Sequence, residues 1–263
     1  MPISGQPDIA PVNRNRRPSG MSIKKTIIIT GGAVGLGLEL TRIYAGRGHN
    51  VIVCGRTESA LTAVSEEYPN TTVFCLDLST PSGRRQFVDG IHDLDVDVDL
   101  LIHNAAVQVS ADFSKGAAVP ERIAAELSIN LHAPIELTTD LMPLLRKAVR
   151  PQIVFISSAL GRVPKQSAPV YCATKAGLST FARCLRYQLE GTPVLVTDVV
   201  PDLIRTRMAA GREENALHPA DAANVIVRGL EQGKTEIRLG RVPVLYTLHR
   251  FLPSLAYRML KAA

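Results

Sequence analysis

The stretch Thr26-Ile27-Ile28-Ile29-Thr30-Gly31-Gly32-Ala33-Val34-Gly35-Leu36-Gly37 decides the fold. Its first five residues are β-branched and apolar on both faces, the pattern of a short strand covered on both sides. Gly31, Gly32, Gly35 and Gly37 follow at once. Such a turn lets the backbone bend tightly and approach a pyrophosphate with no Cβ in the way. Leu36, Leu40 and Ile43 then recur at helical spacing. The turn therefore ends in a helix N-terminus, whose free N–H groups and positive dipole end suit phosphate. Taken alone, the segment is equally an ordinary strand-to-helix turn; its surroundings have to decide.

Outward from this turn, apolar strand-like runs occupy residues 51–54, 72–76, 100–102, 153–156 and 194–196. Helical patterns separate them: Leu61 and Val64, then Phe87, Val88 and Ile91, then residues 121–148, then residues 170–189. Strict alternation with short connections specifies α/β architecture, a Rossmann-like doubly wound parallel sheet in a single domain. Residues 23–240 form that domain. Residues 1–22, with four prolines and no apolar period, read as a disordered leader. Residues 241–263 read as an amphipathic helical extension. There Leu245, Leu248, Leu252, Leu255 and Met259 form a stripe flanked by Arg250, Arg258 and Lys261, and Pro253 divides it into two helices. Three roles stay open for the extension: packing on the domain, covering a hydrophobic substrate as a lid, or touching a membrane surface.

The composition, 46% hydrophobic without tryptophan, calls for an aliphatic core. The net charge of +6 is concentrated in the two ends, so no nucleic-acid-reading surface is expected. Four cysteines, none in a CxxC pair, support neither a zinc site nor a redox dithiol and fit a reducing cytoplasm. Cys54 and Cys75, at strand ends, read as small buried hydrophobes.

Tyr171 and Lys175 stand four apart on one helix face, just after Pro169. A free phenol has a pKa of about 10, too high for efficient proton exchange near neutrality. A neighbouring ammonium favours the phenolate and lowers it. Ser157 and Ser158 end the fifth strand run, where a doubly wound sheet presents side chains to a ligand; alternation turns one of the two toward the site.

The Thr30–Gly37 spacing (TGxxxGxG), the YxxxK of Tyr171 and Lys175, and the serine thirteen residues before that tyrosine resemble the short-chain dehydrogenase/reductase family over roughly residues 24–240. Within it, the chain looks most like bacterial oxidoreductases associated with cell-wall D-alanylation operons. The resemblance implies an oxidoreductase moving a hydride between a nicotinamide cofactor and a carbonyl or alcohol. It picks Ser158 over Ser157 as the catalytic hydroxyl, Tyr171 as acid/base and cofactor contact, and Lys175 as tuner of Tyr171 and ligand of the nicotinamide ribose. It gives Asn130 a water that links Lys175 to solvent. It assigns cofactor contacts to Gly31, Gly35, Leu36 and Gly37, to Asn104 in an NNAG-like segment carrying His103 and Ala106 instead, to Asp77 at the adenine edge, and to Ile204 and Thr206 at the carboxamide. In that last segment Asp202 replaces the usual glycine. At the end of the second strand, Cys54-Gly55-Arg56 lacks the acid that holds an NAD ribose, and Arg56 offers a guanidinium fork to a 2′-phosphate, so NADP(H) is the expected cofactor. The substrate is expected to be a small carbonyl or alcohol of apolar character, with Leu160, Val163 and residues 203–218 around it. A homodimer or homotetramer is expected by resemblance, with Phe181, Leu185 and Leu189 either at the interface or on the sheet. The alternatives are an acyl-carrier-bound β-ketoacyl reductase and a non-catalytic NADP(H)-binding regulator. The complete Ser158/Tyr171/Lys175 set argues against the regulator. Tyrosine and lysine four apart argue against an enoyl reductase.

Overall fold

The computed structural model describes residues 24–115, 120–206, 209, 214 and 216–261. The leader expected over residues 1–22 lies outside them, as does part of the segment 203–218. Seven strands form one all-parallel sheet: β1 (Thr26–Thr30), β2 (Asn50–Gly55), β3 (Thr71–Cys75), β4 (Leu100–His103), β5 (Gln152–Ile156), β6 (Leu195–Val200) and β7 (Glu236–Arg238). Their order is β3-β2-β1-β4-β5-β6-β7. The direction of winding reverses between β1 and β4, and such a switch point opens a crevice beyond the strands' C-terminal ends.

Both faces are covered, which explains strands without polar alternation. On one side α1 (Gly35–Gly46), α2 (Glu58–Glu67) and α7 (Pro219–Glu231) pack Leu40, Leu61 and Ile226 against Ile27, Ile29 and Val53. On the other, α3 (Pro81–Asp93), α5 (Ala133–Leu145) and α6 (Pro169–Gln188) pack Phe87, Leu141 and Leu178 against Ile28, Leu101 and Phe155. Each fully buried aliphatic or aromatic side chain contributes about 1.5–3 kcal/mol by leaving water. Phe181 stacks edge-on against Phe155, while Leu185 and Leu189 are buried in the same cluster, so all three pack toward the sheet.

Two expectations need correction. The helix expected over residues 121–148 is α4 (Pro120–Leu127), a π-helical turn from Ser128 to His132, and then α5. Cys54 is buried as expected, but Cys75 is exposed, because β3 is the sheet edge and pairs only with β2. The extension beyond Gly240 forms α8 (Val242–Phe251) and α9 (Pro253–Lys261), divided at Pro253. Val242 and Tyr246 pack on Ala159 and Val200, while Phe251, Leu252 and Met259 remain exposed.

His103, at the end of β4, is a core ring. It lies 3% exposed, stacked on Phe155 at 4.9 Å. The Thr138 hydroxyl donates to Pro134 O, so it accepts from His103 Nε2–H at 2.9 Å. Nδ1 has no hydrogen-bond partner among the described residues, and burial pushes the imidazole pKa down to about 3. Below the ordinary value of about 6.5 the unfolded chain takes up a proton that the folded ring refuses, so this contribution to stability is complete above that pH and lost toward pH 3. The urea midpoint of the wild type should therefore fall more than that of His103→Asn between about pH 7 and pH 5. Equal falls would show that His103 does not govern this window.

Candidate active site

The glycine turn and the end of β4 are held together by hydrogen bonds. The Thr30 hydroxyl accepts from the backbone N–H groups of Asn104 and Ala105, both at 3.0 Å. The Asn104 amide donates to the carbonyls of Thr30 (3.0 Å) and Gly31 (3.1 Å). Asn104 thus fixes the turn's shape from the neighbouring strand. Gly31 adopts φ +66°, where an L side chain is strained. A Cβ on Gly37 would lie 2.2 Å from the Gly31 carbonyl oxygen, so α1 starts directly against the turn. No side chain caps α1 at Val34, and its first turn contains no acid. Its leading N–H groups are left to an external acceptor. Thr206 reaches the same place from the loop after β6, its methyl 3.0 Å from where a Gly35 Cβ would be. This cradle fits a dinucleotide pyrophosphate.

At the end of β2, Arg56 is exposed and lies 4.0 Å from Asp77, which follows β3. A guanidinium and a carboxylate therefore stand side by side beyond the ends of β2 and β3. Leu36 is buried beneath the turn and contributes packing. Ile204 forms an isolated parallel bridge with Leu217. Asp202 has a structural explanation. Its carboxylate accepts from the Arg241 guanidinium at 2.9 Å and from the Arg241 backbone N–H, tying the loop after β6 to the start of α8.

Across the crevice, Ser157 is buried and donates from Oγ to Val199 O. Ser158, two residues beyond β5 and less deeply buried than Ser157, is extended and accepts the Leu160 N–H at 3.1 Å. The short helix it opens, Ala159–Gly161, packs so closely on α6 that a Gly161 Cβ would lie 2.8 Å from the Lys175 backbone. Ser158 is thereby carried to the N-terminal half of α6, where Tyr171 sits in the first turn after Pro169. The Lys175 ammonium lies 5.7 Å from the Tyr171 ring centre and donates to Ile156 O at 2.7 Å. Lys175 is 2% exposed. Burial pulls its pKa down to about 8, against the opposing pull of Asp198 and Glu126.

Asn130 lies in the π-helical turn, completely buried. Its amide accepts from Val107 N–H (2.9 Å), donates to Val107 O (2.8 Å) and reaches the Thr174 hydroxyl. Its side chain therefore clamps the segment after β4 against α6, one residue from Lys175 along the helix. Among the residues expected to surround the substrate, Leu160 is half-buried but Val163 is fully buried and packs inside the domain. Much of residues 203–218 lies outside the described residues. Sequence reading missed the two buried carboxylates near Lys175, Asp198 on β6 and Glu126 on α4. Neither lies in a local motif, and the elements that bring them there are far apart in the chain.

Comparison with known proteins agrees with this fold. The family described as short chain dehydrogenase matches residues 25–217. The chain belongs to the short-chain dehydrogenase family. It is 33% identical over 223 residues to a Bacillus subtilis (strain 168) protein named uncharacterized oxidoreductase DltE, covering 82% of this chain and 88% of that relative. It is 27% identical over 239 residues to the ketoacyl reductase HetN of Nostoc sp., covering 87% and 83%. Among solved structures, a short chain dehydrogenase from Burkholderia cenocepacia J2315 in complex with NADP superposes with a TM-score of 0.80. That match covers 92% of this chain and all of the other, at 22% identity. A short-chain dehydrogenase from Sphingobium yanoikuyae in complex with NADPH gives 0.76 at 22% identity, covering 89% and 93%. No described helix is long and apolar enough to cross a membrane, and no cluster that could hold a metal occurs among the described residues.

Proposed function

We propose that the protein interconverts a carbonyl and an alcohol with NADP(H), using Tyr171 as acid/base. The observation that carries this reading is the Lys175 ammonium buried 5.7 Å from the Tyr171 ring, at the end of the crevice opposite the Arg56 guanidinium. Bound NADP(H) would supply or accept the hydride. In the reductive direction, Tyr171 gives its proton to the substrate oxygen, Ser158 hydrogen-bonds that oxygen as charge develops, and Lys175 favours the resulting phenolate. Gly31, Gly35, Leu36, Gly37 and Asn104 would shape the pyrophosphate site. Ile204 and Thr206 would hold the carboxamide, and Asp77 the adenine edge. Asn130 would keep the proton path beside Lys175 in register. The similarity to a ketoacyl reductase supports a second reading, the same chemistry on an acyl-carrier-bound β-ketoacyl chain. A cytoplasmic homodimer or homotetramer acting on an apolar small molecule is the wider setting that the family resemblance supports. Following NADPH absorbance across a panel of ketones, aldehydes, alcohols and β-ketoacyl thioesters tests the reading and separates its two forms; a panel without turnover would count against both.

Cofactor choice is a separate expectation. Arg56 and a 2′-phosphate make a charge-assisted contact of about 1.5–3 kcal/mol, so Arg56→Ala should lower kcat/KM for NADPH by roughly ten- to a hundredfold. The value for NADH should change little. An NADH preference in the wild type, or an unchanged NADPH preference in the variant, would remove Arg56 from this role.

A further inference from the structure

Glu126 is a carboxylate with no place in the chemistry described so far. It stands on α4, one turn before Asn130, and is 0% exposed. Buried charges are rare unless paired, because desolvation disfavours them strongly. Glu126 Oε1 accepts the Val109 N–H at 3.2 Å. Its Oε2 is buried with no hydrogen-bond partner among the described residues. An orphaned carboxylate oxygen in the interior calls for a compensating charge.

The surroundings supply it. α4 packs on α6, and the α6 groups that feel Glu126 are Lys175 and Cys172. From β6, Asp198 acts on the same lysine. Lys165, whose carbonyl accepts from the Cys172 thiol, adds a second cation beside that cysteine. The Lys175 ammonium itself has a neutral carbonyl, Ile156 O, as its hydrogen-bond acceptor. Two buried carboxylates, Asp198 on the sheet and Glu126 on α4, thus act electrostatically on Lys175. Burial raises the Glu126 pKa, while the Val109 N–H and Lys175 oppose the rise.

Asn130 and Glu126 also act on one segment. Asn130 grips Val107 by both backbone groups, and Glu126 grips Val109 by its N–H. Two side chains one turn apart on a helix therefore hold alternate residues of the stretch that leaves β4 beside the crevice. That stretch in turn reaches the segment before α6, where the Ala111 N–H donates to Ser167 O.

We propose that Glu126 is a positioning residue: from α4 it keeps the buried Lys175 ammonium charged and fixes the segment after β4 that reaches the stretch before α6. The proposal rests on the reading of Tyr171 and Lys175 as the proton-transfer pair, and it adds a buried counter-charge outside the Asn130/Ser158/Tyr171/Lys175 set. With Glu126 ionised, Lys175 keeps its proton to higher pH, and its favourable effect on the Tyr171 phenolate persists over the same range.

The test follows Lys175 directly, by NMR titration of the full-length protein labelled at the lysine ε-carbons, with its resonance assigned by Lys175→Met. The wild type should titrate near 8. Glu126→Gln keeps the shape and an acceptor for Val109 but removes the charge, and should lower that midpoint by on the order of one unit. Glu126→Asp keeps the charge and gives up reach, and should leave the midpoint close to that of the wild type. An unchanged midpoint in Glu126→Gln overturns the proposal; should that variant not fold, a midpoint in Glu126→Asp lowered by a full unit does the same. Turnover is not used in this measurement. A Tyr171→Phe enzyme that remained fully active would sink the acid/base reading without touching the Lys175 titration, so the two failures are distinguishable.

Discussion

Replacing Tyr171 by Phe is expected to reduce turnover by roughly 10²–10⁴-fold, the usual contribution of a positioned acid or base, while NADPH still binds. The substitution removes one hydroxyl. The phenyl ring keeps its place in the first turn of α6, where Tyr171 is 8% exposed and packed beside Lys175. The proposed pyrophosphate cradle lies on different elements and does not depend on that hydroxyl. The glycine turn is shaped by Thr30 and Asn104, and the ammonium of Lys175 stays anchored on Ile156 O. Hydride transfer without a proton donor would leave an alkoxide in the site, and Ser158 can hydrogen-bond such a charge but not neutralise it as a tuned phenol would. The measurement is kcat on a carbonyl taken from the panel, alongside the NADPH Kd from fluorescence. A loss of less than tenfold with an unchanged Kd would show that the proton comes from elsewhere. A loss of both together would mean that the substitution disturbed the cradle, and Tyr171 would then be structural.

What could be read in advance follows from where the information lies. β1, β4 and β5 were legible because a parallel strand buried on both faces is a continuous apolar run. Tyr171 and Lys175 were legible because four residues on a helix is a local spacing. β7 was not, since Glu236-Ile237-Arg238 offers one apolar residue and is paired only at the sheet edge with β6. The π-helical turn at Asn130 was not, because Ser128-Ile129-Asn130-Leu131-His132 continues an ordinary helical pattern; the distortion accompanies an amide held by Val107, a residue on another element. Cys75 was misjudged because apolar neighbours in sequence do not reveal that β3 has a partner on one side only. Asp202 illustrates the opposite case. It stands where the family has glycine, and its ion pair with Arg241 gives that loop an anchor. The same limit hid Glu126. A carboxylate becomes significant through what surrounds it after folding, and its neighbours come from α6 and the segment after β4.

The second large effect is expected from one methyl group. Gly37→Ala should abolish measurable NADPH binding, with Kd rising at least a hundredfold, while the protein stays folded. An added Cβ would stand 2.2 Å from the Gly31 carbonyl oxygen, 2.6 Å from the Asn104 amide nitrogen and 2.9 Å from the Gly31 carbonyl carbon. Two of these atoms belong to backbone, which cannot rotate aside as a long side chain can. Relief requires α1 to withdraw from the turn or the Gly31 peptide to swing, and either movement breaks the Asn104 hydrogen bonds that set the turn. The N–H groups at the start of α1 would then no longer converge on one point, so a phosphate would lose several charge-assisted contacts at once. A hundredfold rise in Kd corresponds to about 2.7 kcal/mol, less than two such contacts are worth. The inner face of α1 would be spared, because Leu40 and Tyr44 pack against the sheet one to two turns away from the substitution. Fluorescence titration with NADPH and far-ultraviolet circular dichroism on the same sample make the comparison. Tight NADPH binding by a folded Gly37→Ala protein would show that the pyrophosphate lies elsewhere and would remove the glycine turn from the cofactor site.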